Sequence, residues 1–365
     1  MTARKIIATI SLLTLLSIAL VATMFILSEK KMYYDNDFIR RFPDYTAEDK
    51  VMDLTYDSYY YAGTSRDVIY LGNVTAPLVV TEINTALRSA LQVKIKLEAD
   101  SLPFRAPEIR IFNDDFYFID GTVPVLFKGR TGAWEAKVQE GNTPDFFRYQ
   151  MLDSLTVAYN FINPKSGQRN LGAYSFGSGK GTAVESNLLE KQVDGMFDVE
   201  GHLHYDLLTD RVIFLYQYRN SYIVADKKLK LLFKGKTIDT ISRVALKSEH
   251  VKSRNEIRLV DRPITVNQSS AVYGNLLFVQ SLVRGRYEAS KTWEVSSVID
   301  VYNIEDNAYI SSFYVYDREG KKLRDFFVIH DMFYGFIGKS LVRYRLSDKI
   351  LKNKLPAGTR GRSKT

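Results

Sequence analysis

The sequence predicts an all-β protein preceded by a single membrane-spanning helix. The 365 residues include 24 Tyr and 21 Phe, and aromatic side chains are enriched in β-strands. From Tyr45 onward, short apolar runs alternate with Gly, Asn, Asp and Lys, which is typical of strands joined by turns. Helical periodicity is confined to two short stretches of this region, residues 85–91 and 184–192. Before it, residues 6–27 form one uncharged run.

One pattern recurs six times along the chain. An aromatic-rich strand is followed by a polar break, a second strand and often a turn with Lys or Gly and a third strand. The opening runs begin near residues 68, 116, 155, 212, 276 and 332. Blades of four strands need about 40–50 residues, so this spacing predicts a six-bladed β-propeller with insertions near 241–259 and 284–293. The last unit lacks an outer strand, and we expect residues 51–56 to supply it and close the ring, because an open ring leaves strand edges unpaired.

The repeated unit resembles the six-bladed propellers of the NHL and TolB type. The resemblance is carried by runs such as Val68–Gly72, Phe116–Asp120 and Val212–Tyr218 with the turns that follow them, and it covers residues 45–347. The chain is also similar to membrane-tethered propeller-like proteins of Bacteroidetes. The resemblance lies in the rhythm of the repeats and implies a fold without implying functional residues. A β-sandwich pair or an irregular barrel is the alternative fold.

The uncharged N-terminal run is long enough to cross a membrane. Ile6–Leu27 comprises 22 residues, which as a helix span about 33 Å. A cleaved signal peptide is the alternative, but its apolar part is normally about 7–15 residues, and Leu20-Val21-Ala22 is a poor cleavage site. The domain boundaries are therefore an anchor at 1–31, a linker at 32–44, a propeller at 45–347 and a basic disordered tail at 348–365.

Basic residues flank the apolar helix on both sides, with Arg4 and Lys5 before it and four more after it. Lys30, Lys31, Arg40 and Arg41 follow the helix, and the positive-inside rule alone would keep the domain in the cytoplasm. Long domains, however, are translocated largely regardless of their charge. We therefore expect a single-pass protein of the cell membrane with its domain on the extracytoplasmic, periplasmic side.

The net charge of +8 lies at the two ends of the chain. Residues 6–348 contain 42 bases and 42 acids, whereas a nucleic-acid-binding domain usually carries a basic face. The sequence therefore predicts no nucleic-acid partner. The chain has no Cys, which excludes disulfides, thiolate metal sites and cysteine nucleophiles.

The strongest candidate for chemistry is a pair of histidines. In the segment 198–206, His202 and His204 alternate with apolar residues, and Glu200 and Asp206 flank them. Alternate residues of a strand share a face, so the two imidazoles and a carboxylate could bind zinc or another divalent ion. The alternative is a half-buried strand with a polar face and no cofactor.

Other motifs are weaker. The loop 177–182 lacks the first Gly of a phosphate-binding loop, and no Gly-x-Ser-x-Gly elbow accompanies the four histidines. We expect His330 to be packed on a strand or to line the channel. The remaining candidates are two acidic pairs interpreted as turn residues and two tryptophans interpreted as packing residues or binding platforms: Asp114-Asp115, Glu305-Asp306, Trp134 and Trp293.

These observations predict a non-enzymatic, membrane-tethered binding or scaffold module. It would recognise a protein partner or a small ligand through propeller loops or the channel, because loops on a rigid scaffold commonly carry function. One alternative is a metal-dependent hydrolase or lactonase that uses His202 and His204. The other is a sensory domain that acts through a partner protein.

Overall fold

The structure is a computed structural model that describes residues 3–32, 37–42, 46–99, 101–139, 144–176, 182–251, 256–261 and 263–354. Its described part contains one long helix, α1 (Ala3–Met32), and a six-bladed β-propeller. Successive antiparallel sheets form the blades. Neighbouring inner strands lie against each other, and the inner strand of the last blade returns to that of the first. The predicted fold class is confirmed.

The first three blades follow the chain from residue 59 to residue 186. Blade one contains β2 (Tyr59–Ser65), β3 (Val68–Asn73), β4 (Val79–Asn84) and β5 (Ala90–Lys94). Blade two contains β7 (Glu108–Phe112), β8 (Asp115–Asp120), β9 (Val123–Arg130) and β10 (Glu135–Val138), with the short β6 (Lys96–Leu97) parallel to β10 at its edge. Blade three contains β11 (Arg148–Met151), β12 (Thr156–Ile162), β13 (Arg169–Ser175) and β14 (Thr182–Ser186).

The other three blades complete the ring. Blade four contains β15 (Gly201–Asp206), β16 (Arg211–Tyr216), β17 (Ser221–Asp226) and β18 (Leu231–Lys236), and the hairpin of β19 (Lys247–Val251) and β20 (Glu256–Asp261) follows it. Blade five contains β21 (Asn267–Tyr273), β22 (Leu276–Ser281), β23 (Ser296–Asn303) and β24 (Ala308–Tyr316), with the short helix α2 (Ser290–Glu294) before β23. Blade six contains β25 (Leu323–Ile329), β26 (Met332–Ile337) and β27 (Ser340–Arg345), and α3 (Asp348–Leu351) follows it.

An N-terminal strand closes the ring, as the sequence predicts. This strand, β1 (Glu48–Asp53), pairs antiparallel with β27 as the outermost strand of blade six. Val51 lies opposite Val342 and packs on the blade-six core, and the Nε atom of Arg343 donates to Asp49 at 2.6 Å. The strand begins three residues earlier than the expected segment.

Each aromatic run that opens a sequence repeat is the second strand of its blade. The inner strands precede these runs and are more polar, as in Arg148–Met151 of β11 and Gly201–Asp206 of β15. The two stretches with helical periodicity are also corrected, because 85–91 is a turn that enters β5 and 184–192 contains the end of β14. The short-range helical spacing of apolar residues there is overridden by pairing with a neighbouring strand.

The core consists of apolar layers between adjacent blades. The ring of Phe327 in blade six, for example, is stacked on Tyr61 of blade one at 4.0 Å and on Tyr334 at 5.0 Å between centroids. Glycines make room for some of these rings: a Cβ on Gly172 would lie 2.6 Å from the ring of Tyr159, its cross-strand partner. Such packing holds the inner strands at fixed distances around the channel.

Helix α1 is separate from this core. Residues 3–27 are all exposed, and the helix is long and apolar enough to cross a membrane, a property that membrane spans and signal sequences share. An apolar helix with no protein covering requires lipid or another apolar partner, because exposed apolar surface in water is unfavourable.

Candidate binding site at the channel mouth

The six inner strands begin on one face of the propeller. Each inner strand follows the outermost strand of the preceding blade, so β2, β7, β11, β15, β21 and β25 run in the same direction around the channel. We call the face at which they begin the mouth face. Residues near the start of every inner strand therefore meet around one opening of the channel.

Polar side chains alternate with buried apolar ones along these strands. On β7, Ile109 and Ile111 are buried while the residues between and before them are partly exposed, and β11 and β15 show the same alternation. Since alternate residues share a face, the polar set lines the channel; Arg324 and its neighbour Asp325 both belong to it because the register of β25 is irregular between Leu323 and Asp325. Its members are Glu108, Arg110, Arg148, Gln150, His202, His204, Gln268, Ser270, Arg324 and Asp325.

Three arginine side chains lie at this mouth. Arg110 donates through Nη2 to Glu108 at 2.7 Å and lies 5.5 Å from the ring centroids of both Tyr60 and Tyr149. Arg324 donates to the carbonyl oxygen of Tyr59 at 2.5 Å. Arg148 and Arg324 are exposed, so solvent and solutes reach their guanidinium groups.

The positive charges of the three guanidinium groups affect the pKa of one carboxyl group, that of Asp325. Burial raises the pKa of Asp325, and the positive charges of Arg324, Arg110 and Arg148 oppose that rise. Burial also lowers the pKa of Arg110, but the negative charge of Glu108 holds that pKa above its ordinary value. The mouth thus combines three permanent cations with two carboxyl groups, one of which resists ionisation.

The candidate metal ligands lie on the same wall of the channel. His202 and His204 share the channel face of β15 and reach toward β21, where their Nε2 atoms lie 3.4 Å from the carbonyl oxygen of Asn267 and 2.7 Å from Ser270 Oγ. Burial, together with the positive charge of Arg148, lowers the pKa of His202 to about 4 and that of His204 to about 3. Both imidazoles are therefore neutral at pH 7.

The carboxylates expected beside these histidines have other partners. Asp206 accepts from the backbone N–H and hydroxyl of Thr209 and from the N–H of Gly274. Glu200 accepts from the hydroxyl of Tyr218 at 3.3 Å. Within the described residues, no group of three or more His, Asp or Glu side chains could hold a metal ion. The metal site at His202 and His204 stays a prediction.

His330 and the paired acids lie at turns on the face opposite the mouth. His330 lies exposed at the turn between β25 and β26 with φ 56° and not within a strand, since a two-residue connection there needs positive φ. The four paired acids take part in interactions at turns, as expected: Asp114 with Arg66, Asp115 with Lys128, Glu305 with Arg211 and Asp306 with Asn303. The glycine-rich loop lies outside the described residues at 177–181.

Trp134 is a packing residue, whereas Trp293 is only partly buried in α2. Trp134 is buried in blade two and donates to Glu82 at 2.9 Å. Trp293 donates to Glu288 at 2.6 Å, and its ring lies 5.6 Å from the guanidinium carbon of Arg40.

Arg40 belongs to a segment that sequence reasoning treated as a linker. We call residues 37–42 the strap, because they lie along blade five. The side chain of Arg40 is fully buried and donates to Asp300 at 2.6 and 2.9 Å and to Glu288 at 3.0 and 3.1 Å. The ring of Phe42 stacks on Tyr314 at 4.4 Å. The strap is thus fixed to the propeller by a buried ion-pair network.

The comparisons with solved structures return β-propellers at low similarity. The chain resembles a streptogramin B lyase (10% identity, TM-score 0.46, 82% of this chain and 98% of that one). It also resembles a DUF4221 family member from Bacteroides vulgatus (12%, 0.46, 82% and 97%) and a protein of unknown function from Bacteroides thetaiotaomicron (11%, 0.47, 82% and 73%). No protein-family profile and no curated protein match the sequence. The fold assignment rests on the strand pairings of this chain.

Proposed function

We propose that this chain is a membrane-tethered binding module whose channel mouth takes a ligand that carries a carboxylate or phosphate group. The observation that carries the proposal is the convergence of Arg110, Arg148 and Arg324 at one accessible opening. Guanidinium groups bind such oxyanions through paired N–H donors. A channel lined with low-dielectric walls also concentrates ligands of the opposite charge.

The other polar groups of the mouth suit the rest of such a ligand. Gln150 and Gln268 offer amide groups, and Ser270 offers a hydroxyl. His202 and His204 stay neutral and so add no charge to the mouth, and their Nε2 atoms are already directed at Asn267 and Ser270. These groups are held by strands and not by loops, so little conformational entropy is lost when a ligand binds.

The binding test uses the full-length chain in nanodiscs at low ionic strength, titrated calorimetrically with citrate and with inorganic phosphate. We expect binding of at least one anion, weakened roughly tenfold or more in Arg148→Gln and in Arg324→Gln. The matched control is Arg88→Gln, which removes the same charge from an exposed turn on the opposite face. Equal affinities in all four proteins would contradict the proposal.

The side of the membrane is tested by labelling in intact cells. We propose that the propeller lies outside the cytoplasm, because long domains are translocated largely regardless of their charge. Because the chain has no Cys, Leu207→Cys provides one thiol on an exposed turn of the propeller. A membrane-impermeant maleimide should label it without cell lysis. Labelling only after lysis would place the propeller in the cytoplasm.

A metal-dependent hydrolase is the second candidate function. It is favoured by two unprotonated imidazoles on one channel-facing strand, since neutral imidazole is the form that binds zinc. The full-length protein, purified without a histidine tag, should then hold close to one zinc, manganese or calcium ion per chain. His204→Ala should lose that ion, and an ion retained at full occupancy in this variant would exclude the site.

A further inference from the structure

We propose that the mouth face of blade five rests on the lipid surface of the membrane that α1 crosses. This inference depends on the tether of the proposed function, and it adds which surface of the propeller meets lipid. Three independent features of the described chain support it: where the strap begins, how short the connection to α1 is, and which side chains are exposed beside it.

The strap begins on the mouth face. The loop of residues 282–295, which we call the blade-five loop, joins the end of β22 to the start of β23 and so lies on the same face as the starts of the inner strands. Arg286 of this loop donates its N–H to the carbonyl oxygen of Phe38 at 2.9 Å, and its side chain pairs with Asp37 at 2.6 Å. Phe38 also packs with Val266 and Val283.

From there the strap runs toward the opposite face. Ser312 of β24 donates its N–H to the carbonyl oxygen of Arg41, and β1 then returns from Glu48, opposite Tyr344, to Asp53, opposite Ser340 at the start of β27. Among the described residues, the first contact that the chain makes with the propeller after α1 is therefore at the mouth face of blade five.

The connection to the helix is short. Met32 ends α1 and Asp37 begins the strap, and five residue steps span at most about 18 Å. The apolar part of α1 ends at Leu27, so Met32 lies about 7.5 Å farther along the helix axis. That distance equals roughly one headgroup layer. When α1 spans a bilayer, the blade-five loop is therefore held within about 18 Å of the headgroups.

Apolar side chains project from this same place. Four residues beside the Phe38 cluster are exposed: Tyr287 at 85%, Ile39 at 54%, Leu282 at 47% and Ile264 at 38%. Each lies within two residues, along the chain, of a member of that cluster or of Arg286, whose backbone N–H is hydrogen-bonded to Phe38. We call these four residues the rim patch. Scattered exposed apolar residues are normal, but a group at the anchored edge marks a contact surface.

The chemistry of the rim patch favours lipid as its partner. Tyrosine is enriched at membrane interfaces, where its ring is buried near the headgroups and its hydroxyl stays in water. Arg286 and Lys291 are exposed next to the patch, and such side chains interact with lipid phosphates while their aliphatic parts lie on apolar surface. Glu288, the acid in the middle of the loop, is buried in an ion pair with Arg40 and does not face the lipid surface.

The test uses single-cysteine variants of the full-length protein in nanodiscs, made possible by a sequence without Cys. Tyr287→Cys places a fluorophore on the rim patch. Leu207→Cys places the same fluorophore on the β15–β16 turn of the opposite face, where Leu207 is 54% exposed. Quenching by lipids with nitroxide-labelled headgroups is then compared at the two sites.

We expect several-fold stronger quenching at residue 287 than at residue 207, and we expect Ile39→Ser to reduce it. Equal quenching at both sites, or stronger quenching at 207, would overturn the inference. Retention of the unlabelled protein in liposomes after an alkaline wash reports the tether separately. A chain that is retained but shows no preference for residue 287 would overturn only the rim contact, whereas a chain that is released would overturn the tether itself.

Discussion

Asp239 is a buried carboxyl group whose pKa is influenced by Arg40 of the strap. Burial raises the pKa of Asp239 to about 6, hydrogen bonds from Thr237 and Ile241 oppose the rise, and Asp300 adds to it. Arg40 of the strap lowers this pKa again through its charge. The residue therefore binds its proton more tightly in the folded chain than in the unfolded chain.

This shift predicts a pH-dependent contribution to stability. An unfolded Asp has a pKa near 3.9, so the folded state binds the extra proton between about pH 4 and pH 6. The contribution is fully present below pH 4 and is lost as the pH rises through about 6. By linkage it amounts to about 1–3 kcal/mol. We expect the difference in unfolding free energy between wild type and Asp239→Asn to change by that amount between pH 4 and pH 7.

Urea unfolding of both proteins at several pH values measures this difference. Because all other titrating groups are common to the two proteins, their effects largely cancel. A difference that is constant across the window would show that Asp239 does not titrate there.

The histidine pair was predictable and the arginine mouth was not. The alternation of His202 and His204 with apolar residues is visible in the sequence, and the structure places both on one face of β15. Arg110, Arg148 and Arg324 lie on the inner strands of blades two, three and six, so the ring, and not a local sequence motif, brings them together. The signal that could have found them is an arginine within the first three residues of the short strand that precedes the aromatic run in three of the six blades, those of β7, β11 and β25.

At the scale of elements, the strap shows that a short segment without regular secondary structure can be an integral part of a fold. The sequence 37–42 has no periodicity that predicts a strand or helix, and it lies within the segment 32–44 that is interpreted from the sequence as a linker. The partners that give it a fixed position, Asp300 and Glu288, are about 250 residues away. No local pattern could reveal this contact.

Removal of the buried cation should destabilise the propeller. In Arg40→Met, the carboxylates of Asp300 and Glu288 stay buried with their partner removed, and breaking a buried pair in this way costs about 3–5 kcal/mol. The control is Arg286→Gln, which breaks an exposed pair of the same strap worth about 0–1 kcal/mol. Urea unfolding at pH 7 measures both, and a loss for Arg40→Met no larger than for Arg286→Gln would contradict the structural role of the network.

The number of repeats could be counted from the sequence, but each aromatic run is the second strand of its blade and not the first. The composition of the inner strands explains both outcomes. The second strands, such as β8 and β16, are nearly all buried and therefore rich in aromatic and aliphatic residues. The inner strands face the channel on one side and carry polar residues there. Apolar runs therefore mark the second strand of each blade, while the inner strand that faces the channel resembles a loop in sequence.

At the scale of the whole molecule, closure of the ring depends on an N-terminal strand. β1 joins residues 48–53 to blade six, so the two ends of the propeller chain are held together by one strand pair. Because β1 completes blade six, strands from both ends of the propeller chain form one four-stranded blade. A ring closed in this way leaves only short strand edges unpaired. The requirement for closure is what allowed the sequence to predict the missing outer strand.

A disulfide across this closure should stabilise the propeller more than one within a blade. Val51 and Val342 are cross-strand partners, as are Val80 and Val93 of blade one. Val51→Cys with Val342→Cys closes a loop of about 290 residues, whereas Val80→Cys with Val93→Cys closes a loop of about 14. The chain-entropy relation gives about 5–6 and about 3 kcal/mol for these two loops, because the longer crosslink restricts the unfolded chain more.

The measurement compares urea unfolding of each double variant with its disulfide oxidised and reduced. Since both variants replace the same residue types and the chain has no other Cys, the oxidised-minus-reduced difference isolates the crosslink. We expect the closure disulfide to add more unfolding free energy than the blade-one disulfide. The opposite order, or a closure disulfide that fails to form, would show that β1 does not hold the ring shut, since neighbours in an antiparallel pair lie within disulfide distance.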